Sequence, residues 1–273
     1  MALIHLNFES QFLCNNTDVN IILPDKPRDI TPEDFYDANK KYPVMWLLHG
    51  TFGDYTDWIR KSNIELYASE RDIIVVMPSA LNSNFFDWKG FGMGYNMWTY
   101  LLDELMPLVY NWLPASSKQE DNFIAGLSMG GSGTIQYAVG NPEKFAAAAI
   151  LSSAPSNIRR DINEGKVLKR TQTAIDDMGG NENYLNSIVN VWDKLPELVK
   201  NKTLPRLYFA CGNDDSIVGK RFVEFKTYAE EIGLDAVFED YDGYDHEWRF
   251  WDLTIQKAMD FFGLPNKEAG NAF

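Results

Sequence analysis

The chain contains little cysteine, few histidines and no long apolar run. Its two cysteines, Cys14 and Cys211, are too few to form a disulfide framework or a zinc cluster. No segment approaches the roughly 18 consecutive apolar residues of a membrane-spanning helix, and Met1–Ser10 lacks the basic region of a signal peptide. These absences predict a cytoplasmic protein that holds no metal and does not enter a membrane.

Basic residues are also scarce relative to acidic ones. Lysine and arginine together number 25 against 39 aspartates and glutamates, which gives a net charge of −14 at pH 7. Nucleic acids and anionic membranes bind basic surfaces, so this excess argues against both as partners, and it disfavours highly anionic substrates. Hydrophobic residues make up 45% of the chain, as in ordinary globular proteins. Because no linker interrupts the sequence, we expect residues 1–273 to form one domain.

What is present is an alternation of short apolar runs and helix-like segments. Near the start, Ile4–Phe8 and Val19–Ile21 alternate apolar and polar residues, which predicts two half-buried antiparallel strands. Six further strands are predicted from apolar runs: Val44–Leu48, Ile73–Met77, Phe123–Ala125, Ala147–Leu151, Leu207–Ala210 and Ala236–Tyr241. Four helices are predicted: Asn96–Trp112, Gly131–Val139, Val218–Ile232 and Leu253–Phe262. This order predicts an α/β fold with a mostly parallel central sheet and helices on both faces.

Two polar segments interrupt this alternation. Residues Asp25–Lys41 include two prolines, and we interpret them as a surface loop. Residues 156–202 contain no obvious strand. We interpret this second segment as a small helical cap inserted over one end of the sheet.

The strongest chemical signal is the run Gly126–Gly131, with the sequence GLSMGG, between a predicted strand and a predicted helix. It contains the G-x-S-x-G pattern of a nucleophile elbow, a turn so tight that positions 126 and 130 cannot carry side chains. The turn presents Ser128 at the start of the helix, where the N–H of Met129 can stabilise an oxyanion. Taken alone, the same residues could form a glycine-rich turn that only packs a helix against a strand.

A second loop, His49–Gly53, directly follows a predicted buried strand. In α/β folds with a nucleophile elbow, a loop at this position supplies the other N–H of the oxyanion hole. Gly50 lets the backbone turn its amides toward the serine, and we predict Thr51 as the donor, with Phe52 as second choice. His49 is interpreted as a structural histidine that forms hydrogen bonds within the loop.

An acid and a histidine follow the last two predicted strands. The adjacent pair Asp214 and Asp215 follows Leu207–Ala210, and His246 follows Ala236–Tyr241. Only two other histidines exist: His5 in the first strand and His49 in the oxyanion loop. Each signal alone is weak, since most paired aspartates are solvated turn residues. Together, in this order after successive strands, they predict a catalytic triad of serine, acid and histidine.

These motifs resemble the esterase D family of α/β-hydrolases. The likeness extends over about Leu3–Phe262 and rests on four segments: Gly126–Gly131, Leu47–Thr51, Cys211–Asp215 and His246–Trp248. It is strongest toward the branch of bacterial tributyrin esterases and feruloyl esterases. The resemblance implies a serine carboxylesterase that needs no metal or cofactor and hydrolyses short acyl or arylacyl esters. It further implies the site residues: Ser128 as nucleophile, Asp215 as acid, His246 as base, and Thr51 and Met129 as oxyanion donors.

Aromatic residues are frequent in the loops near the expected catalytic end of the sheet. Phe52, Trp58 and Trp248 are our candidates for substrate contacts, as parts of an aromatic acyl or alcohol pocket. An alternative is that these rings only pack against one another. We expect Trp248 and its neighbours also to anchor the loop that carries His246.

Two other functions remain open at this point. One is a thioesterase of the S-formylglutathione hydrolase type, although the oxyanion loop has no cysteine and the sequence indicates no basic pocket for a glutathione carboxylate. The other is a non-catalytic α/β-hydrolase binding module. The sequence predicts a small-molecule ester as partner and leaves the oligomeric state open, a homo-oligomer included.

Overall fold

The computed structural model describes residues 2–37 and 39–266. Met1, Ala38 within the predicted loop Asp25–Lys41, and 267–273 lie outside the described residues. The strands are β1 (Ala2–Ser10), β2 (Asn15–Leu23), β3 (Val44–Leu48), β4 (Ile74–Pro78), β5 (Asp87–Trp88), β6 (Tyr95–Asn96), β7 (Asn122–Leu127), β8 (Ala147–Leu151), β9 (Arg206–Gly212) and β10 (Ala236–Tyr241). All eight strands predicted from the sequence are present, and β5 and β6 form an additional short hairpin.

Eight of the strands form one sheet in the order β1-β2-β4-β3-β7-β8-β9-β10. The pairs β1–β2 and β2–β4 are antiparallel, whereas every pair from β4 to β10 is parallel. The prediction of an N-terminal antiparallel pair joined to a mostly parallel sheet is therefore confirmed. The parallel strands bring their carboxyl ends to one edge, where loops from different parts of the chain meet.

Helices cover both faces of this sheet. They are α1 (Pro32–Phe35), α2 (Asp57–Lys61), α3 (Ile64–Glu70), α4 (Met97–Thr99), α5 (Met106–Trp112), α6 (Met129–Gly140), α7 (Ile158–Asn163), α8 (Lys169–Asp177), α9 (Asn181–Asn186), α10 (Val191–Asn201), α11 (Gly219–Glu231) and α12 (Trp248–Phe262). A π-helical segment, Tyr100–Leu105, joins α4 to α5. No helix of the described part of the chain is long and apolar enough to cross a membrane.

The two faces of the sheet support two separate hydrophobic cores. In β3, Val44, Trp46 and Leu48 pack with residues of α6 and α11 on one face. The intervening Met45 and Leu47 pack on the other face, against residues of α3 and α12. Alternate side chains point to opposite faces, so a strand buried on both sides must be apolar throughout.

Residues 25–41 differ from the predicted open loop. They include α1, whose N-cap Thr31 accepts a hydrogen bond from the backbone N–H of Asp34. The side chain of Phe35 at the end of this helix is buried in the core beside Tyr42. A capping residue followed by proline is a helix-start signal, and burial of one aromatic ring fixes the short helix on the body of the protein.

Residues 156–202 contain four helices, α7 to α10, and no strand among the residues described. Three of these helices, α7 to α9, share a small hydrophobic cluster with Phe86, which includes Ala174, Ile175 and Tyr184. The fourth, α10, places Leu195 in the core on the α6 side of the sheet. The segment is thus held by its own cluster and by the main core.

Candidate active site

Ser128 lies at the junction of β7 and α6 in a strained backbone conformation. Its φ is 52° and its ψ is −113°, which is a backbone region that residues other than glycine rarely adopt. The glycines around it are required by close approach: a Cβ on Gly126 would lie 2.5 Å from the carbonyl of Gly130, and one on Gly130 would lie 2.5 Å from the carbonyl O of Leu48. The turn therefore has the geometry that the sequence pattern indicated.

The side chains of Ser128, His246 and Asp215 form one chain of hydrogen bonds. His246 Nδ1 lies 2.8 Å from Asp215 Oδ2, and His246 Nε2 lies 2.9 Å from Ser128 Oγ. Because a carboxylate only accepts, Nδ1–H donates to Asp215, which leaves Nε2 to accept from the serine hydroxyl. The structure thus brings together the three residues that the sequence singled out, in the arrangement of a nucleophile, a base and an orienting acid.

Asp215 is almost fully buried, and its carboxylate is fully used by hydrogen bonds. Its Oδ1 accepts from the backbone N–H groups of Ile217 at 3.0 Å and Val218 at 2.8 Å. Burial by itself would raise the pKa of Asp215, but the hydrogen bonds from His246 and the Val218 N–H outweigh it, so that the pKa lies below its ordinary value. The carboxylate is therefore ionised at neutral pH, next to the imidazole of His246.

The neighbouring acids are placed differently. Asp214 is exposed to solvent, so the acid beside His246 is the second aspartate of the pair. Asp245, for which the sequence predicted no role, accepts from the backbone N–H groups of Ser216 at 3.1 Å and His246 at 2.7 Å. It thereby joins the loop of the acid to the loop of the base. An acidic residue next to the histidine predicted as the base was the only signal in the sequence that could have indicated this contact.

The loop after β3 approaches the elbow closely. A Cβ on Gly50 would lie 2.5 Å from Leu127 Cδ1 and 3.7 Å from Ser128 Cβ. The N–H of Phe52 donates to Asn82 Oδ1 at 2.9 Å and so is already used, which removes the second-choice oxyanion donor. Thr51 lines the same cavity as Ser128, and Met129 is the first residue of α6, where helix N–H groups lack partners within the helix.

His49 is a structural residue of this loop, as expected. It is 1% exposed, its Nε2 accepts from the backbone N–H of Ala80 at 2.9 Å, and its Nδ1 therefore donates to the carbonyl O of Gly50 at 2.7 Å. Burial lowers the pKa of His49 and keeps the ring neutral. It fixes the carbonyl of Gly50 and with it the direction of the loop.

A cavity of about 680 Å³ opens in front of Ser128 and His246. Its walls come from the loop after β3, from α6, from the acid and base loops and from α7 to α9. Side chains that are mainly apolar line the part under these helices; they include Ile135, Ala154, Ile158, Val167, Leu168, Ala174, Tyr184, Val189 and Val191. The volume and the apolar lining are typical of a site for a small organic molecule.

The three aromatic candidates for substrate contacts have different positions. Phe52 is 92% exposed at the rim of the cavity, and Trp248 also lines it. Trp58 was wrongly expected there: it is 1% exposed, its Nε1 donates to the carbonyl O of Leu48, and its ring packs edge-on behind Trp248. A fully buried indole with its N–H satisfied supports the wall of the cavity and does not contact its contents.

Trp251 anchors His246, although from a helix and not from a loop. Helix α12 starts at Trp248, five residues earlier than the periodicity predicted. The ring of Trp251 stacks edge-on against His246, and its Nε1 donates to Ser152 Oγ at 3.0 Å. Among the described residues, no group of three or more histidine, cysteine or acidic side chains could hold a metal ion.

The sheet order, the elbow after β7 and the hydrogen-bonded side chains of Ser128, His246 and Asp215 beside a ligand-sized cavity define an α/β-hydrolase fold, and the chain is a carboxylic ester hydrolase. Residues 10–262 match a family model described as "Putative esterase". The chain belongs to that esterase family, which confirms the resemblance noted in the sequence.

Several relatives resemble the chain over nearly its whole length. An acetyl esterase of Caldicellulosiruptor saccharolyticus is 29% identical over 271 residues, which are 96% of this chain and 98% of that protein. FphF, a fluorophosphonate-binding serine hydrolase of Staphylococcus aureus, is 29% identical with a TM-score of 0.77, covering 96% of this chain and 98% of that one. FrmB, an S-formylglutathione hydrolase of the same organism, has the same identity and coverage and a TM-score of 0.74.

Proposed function

We propose that the protein is a serine carboxylesterase that hydrolyses short-chain acyl or arylacyl esters, such as acetyl, butyryl or feruloyl esters, through an acyl-enzyme intermediate. The observation that carries this proposal is the continuous chain of hydrogen bonds from Ser128 through His246 to Asp215 at the floor of the cavity. No cofactor is needed, because the three side chains supply a nucleophile, a base and an ionised acid.

In the first half of the reaction, Ser128 Oγ attacks the ester carbonyl carbon while His246 Nε2 takes the hydroxyl proton. Asp215 stabilises the imidazolium that forms and holds Nδ1–H in place. The C–O bond to the alcohol then breaks, and His246 returns the proton to the leaving alkoxide. The serine remains acylated, and the alcohol departs.

In the second half, water enters the position of the alcohol. His246 takes a proton from that water, which attacks the acyl carbon, and the C–O bond to Ser128 breaks as the proton returns to Oγ. The backbone N–H groups of Thr51 and Met129 are the proposed oxyanion donors in both halves. Each such donor contributes roughly 3–4 kcal/mol to the transition state in comparable sites.

The shape of the cavity supports a short acyl or arylacyl group as substrate. Its apolar part lies between α6 and the helices of residues 156–202, which we propose to act as a cap on a single domain. Phe52 and Trp248 at the rim are the proposed aromatic contacts. The likeness to an acetyl esterase agrees with a small acyl group.

Replacement of Ser128 tests this proposal. Ser128→Ala should lower kcat for a p-nitrophenyl butyrate or acetate substrate by several orders of magnitude, about 10⁶-fold in comparable triads, with little change in melting temperature. A fluorophosphonate probe should label the wild type and not the variant. Residual hydrolysis within about tenfold of wild type would remove Ser128 from the mechanism.

A thioesterase is the second candidate, because FrmB, a similar protein, is an S-formylglutathione hydrolase. The triad would attack a thioester by the same steps, with a thiolate as the leaving group. Parallel measurement of kcat/KM on S-formylglutathione and on a p-nitrophenyl ester separates the two. A preference for the thioester by more than about a hundredfold would favour this second function over the first.

A further inference from the structure

Among the residues that the structure describes, two arginines that line the cavity form no ion pair with an acid. Arg170 on α8 and Arg221 on α11 both line the cavity that contains Ser128 and His246. Arg170 donates from Nη1 to the hydroxyl of Thr51 at 3.0 Å, which is a neutral partner. Within residues 2–37 and 39–266, neither guanidinium forms an ion pair.

The other charged side chains of the cavity lining form ion pairs with residues of opposite charge. Lys61 Nζ pairs with Asp57 Oδ1 at 2.9 Å, and Asp161 Oδ1 pairs with Arg160 Nη2 at 3.1 Å. Pairs of opposite charge largely cancel, so Arg170 and Arg221 are the charged side chains of the cavity lining that stay unpaired among the described residues. The ionised Asp215 lies behind His246 and is not part of that lining. The whole chain carries a net charge of −14, yet charges beyond about 10 Å are screened in physiological salt.

An arginine without a counter-charge is costly where water is partly excluded. Arg170 belongs to α8 of the proposed cap and is partly exposed. Desolvation of the part that faces the cavity lowers the pKa of Arg170, so its charged form loses some hydration without gaining an acid in return. In a chain where acidic residues outnumber basic ones, a nearby carboxylate would readily have been available. A ligand that carries an anion supplies the missing partner and forms bidentate hydrogen bonds with the guanidinium.

We infer that Arg170 and Arg221 form an anion-binding subsite of the catalytic cavity, so that the preferred substrates are esters that also carry a carboxylate. This inference rests on the proposed esterase function and specifies its substrate class. It differs from the expectation drawn from net charge alone, because nearby charges act on the ester more strongly than screened distant ones. The carboxylate can belong to the acyl part or to the alcohol part of the ester.

Matched ester pairs test the inference. Monoethyl succinate and ethyl succinamate place a carboxylate or its neutral amide in the acyl part; 4-(butyryloxy)benzoate and 4-(butyryloxy)benzamide do so in the alcohol part. We expect kcat/KM to favour the anionic member of at least one pair by about tenfold or more. The readout is the ratio of kcat/KM within a pair, which does not change when a variant merely loses active protein.

The arginine variants then assign the preference. Arg170→Gln and Arg221→Gln should each lower the anionic-to-neutral ratio about threefold or more, and the double variant should bring it near one. Arg221→Lys keeps the charge and loses the bidentate geometry, so it should retain more of the ratio than Arg221→Gln. Arg60→Gln is the matched control: Arg60 is exposed on the neighbouring α2 and outside the cavity lining, and its loss should leave the ratio within about twofold of wild type.

The two proposals fail in different ways. Hydrolysis of the neutral esters by Ser128 with a ratio of one or less in both pairs overturns the anion subsite and leaves the esterase function standing. A preference for the anionic ester that survives in the Arg170→Gln, Arg221→Gln double variant overturns the subsite as well. If wild type and Ser128→Ala hydrolyse neither member of either pair, the esterase function itself is wrong and the subsite falls with it.

Discussion

At the scale of single residues, the strain at Ser128 is held by its backbone neighbours. A conformation with φ of 52° costs about 1–3 kcal/mol for a residue with a side chain. The Ser128 N–H donates to the carbonyl O of Leu151 at 2.8 Å, and its own carbonyl accepts from Ser132 N–H at 3.0 Å. These hydrogen bonds do not involve Oγ, so loss of the hydroxyl changes the chemistry and leaves the turn in place.

The proposed role of Asp215 as the acid can be tested by comparison with its immediate neighbour, Asp214. In Asp215→Asn the amide can still accept from Ile217 and Val218, but its NH₂ group faces His246 Nδ1. The imidazole must then place its proton on Nε2, where it can no longer accept from Ser128 Oγ. We expect kcat for a butyrate ester to fall by roughly 10³–10⁴, with a small change in melting temperature.

Asp214→Asn is the matched control for this prediction. It removes the same charge one residue away, from a side chain that points to solvent. We expect kcat to stay within about threefold of wild type, since exposed substitutions usually have small effects. A large loss of kcat in Asp214→Asn together with an active Asp215→Asn would contradict the geometry of the acid loop.

At the scale of secondary-structure elements, the sequence predicts the buried strands better than the short helices and the helix ends between them. An element such as β3 is apolar throughout because both of its faces are covered, and that pattern is visible without a structure. The early start of α12 was missed because Trp248 opens the helix at the cavity, ahead of its periodic apolar face. Helix α1 was missed because one buried ring, Phe35, stabilises it, and a single ring gives no periodicity.

In the candidate site, too, some features could be predicted from the sequence and others could not. Ser128 and its glycines were predictable because a tight turn constrains residue type at fixed positions. The burial of Trp58 was not, because a tryptophan in a loop can face the cavity or the core, and only tertiary packing decides. The contact of Asp245 with Ser216 was also hidden, since it depends on how two loops from different strands meet.

Close approach of the acid and base loops gives a prediction at this scale. Gly212 ends β9, and a Cβ there would overlap the carbonyl O of Tyr244 in the loop that leads to His246. The same carbonyl accepts from Asp214 N–H at 3.1 Å. In Gly212→Ala the base loop must move away, and a displacement of about 1 Å between catalytic groups can cost about 10²-fold in rate.

We therefore expect Gly212→Ala to lower kcat for an ester about tenfold to a hundredfold. Gly219→Ala is the control in the adjacent segment, because a Cβ on Gly219 meets nothing within 4 Å and its φ is not in the left-handed region. Steady-state kinetics and melting temperatures of both variants are the measurements. Equal activity of the two variants would show that the base loop does not depend on this contact.

At the scale of the whole molecule, the site is a product of sheet order. Ser128 follows β7 in the middle of the sheet, whereas Asp215 and His246 follow β9 and β10 at its edge. Their hydrogen bonds join segments separated by 31 and 118 positions in the chain. The proposed catalytic chain can form only when β7 to β10 have assembled in order, so we expect enzymatic activity to require the completed fold.

A buried histidine links the stability of this fold to pH. The pKa of His49 is lowered in the folded protein because burial disfavours the cation, while in the unfolded chain a histidine has a pKa of about 6.5. Above that value both states hold a neutral ring and the group has no effect. As the pH falls below it, only the unfolded state takes up the proton, so the free energy of unfolding decreases until the lower folded pKa is reached.

We expect the free energy of unfolding, measured by urea titration between about pH 5 and pH 8, to rise with pH up to neutrality and then to level off. His49→Gln should lower stability at every pH by about 1–3 kcal/mol, because Ala80 N–H and Gly50 O lose their present partner, and it should flatten the rise. His5→Gln removes a histidine that is exposed on β1 in the folded protein. The free energy of unfolding of this variant should still rise with pH. If the free energy of unfolding of His49→Gln rises with pH as steeply as that of wild type, the pH dependence comes from groups other than the buried imidazole of His49.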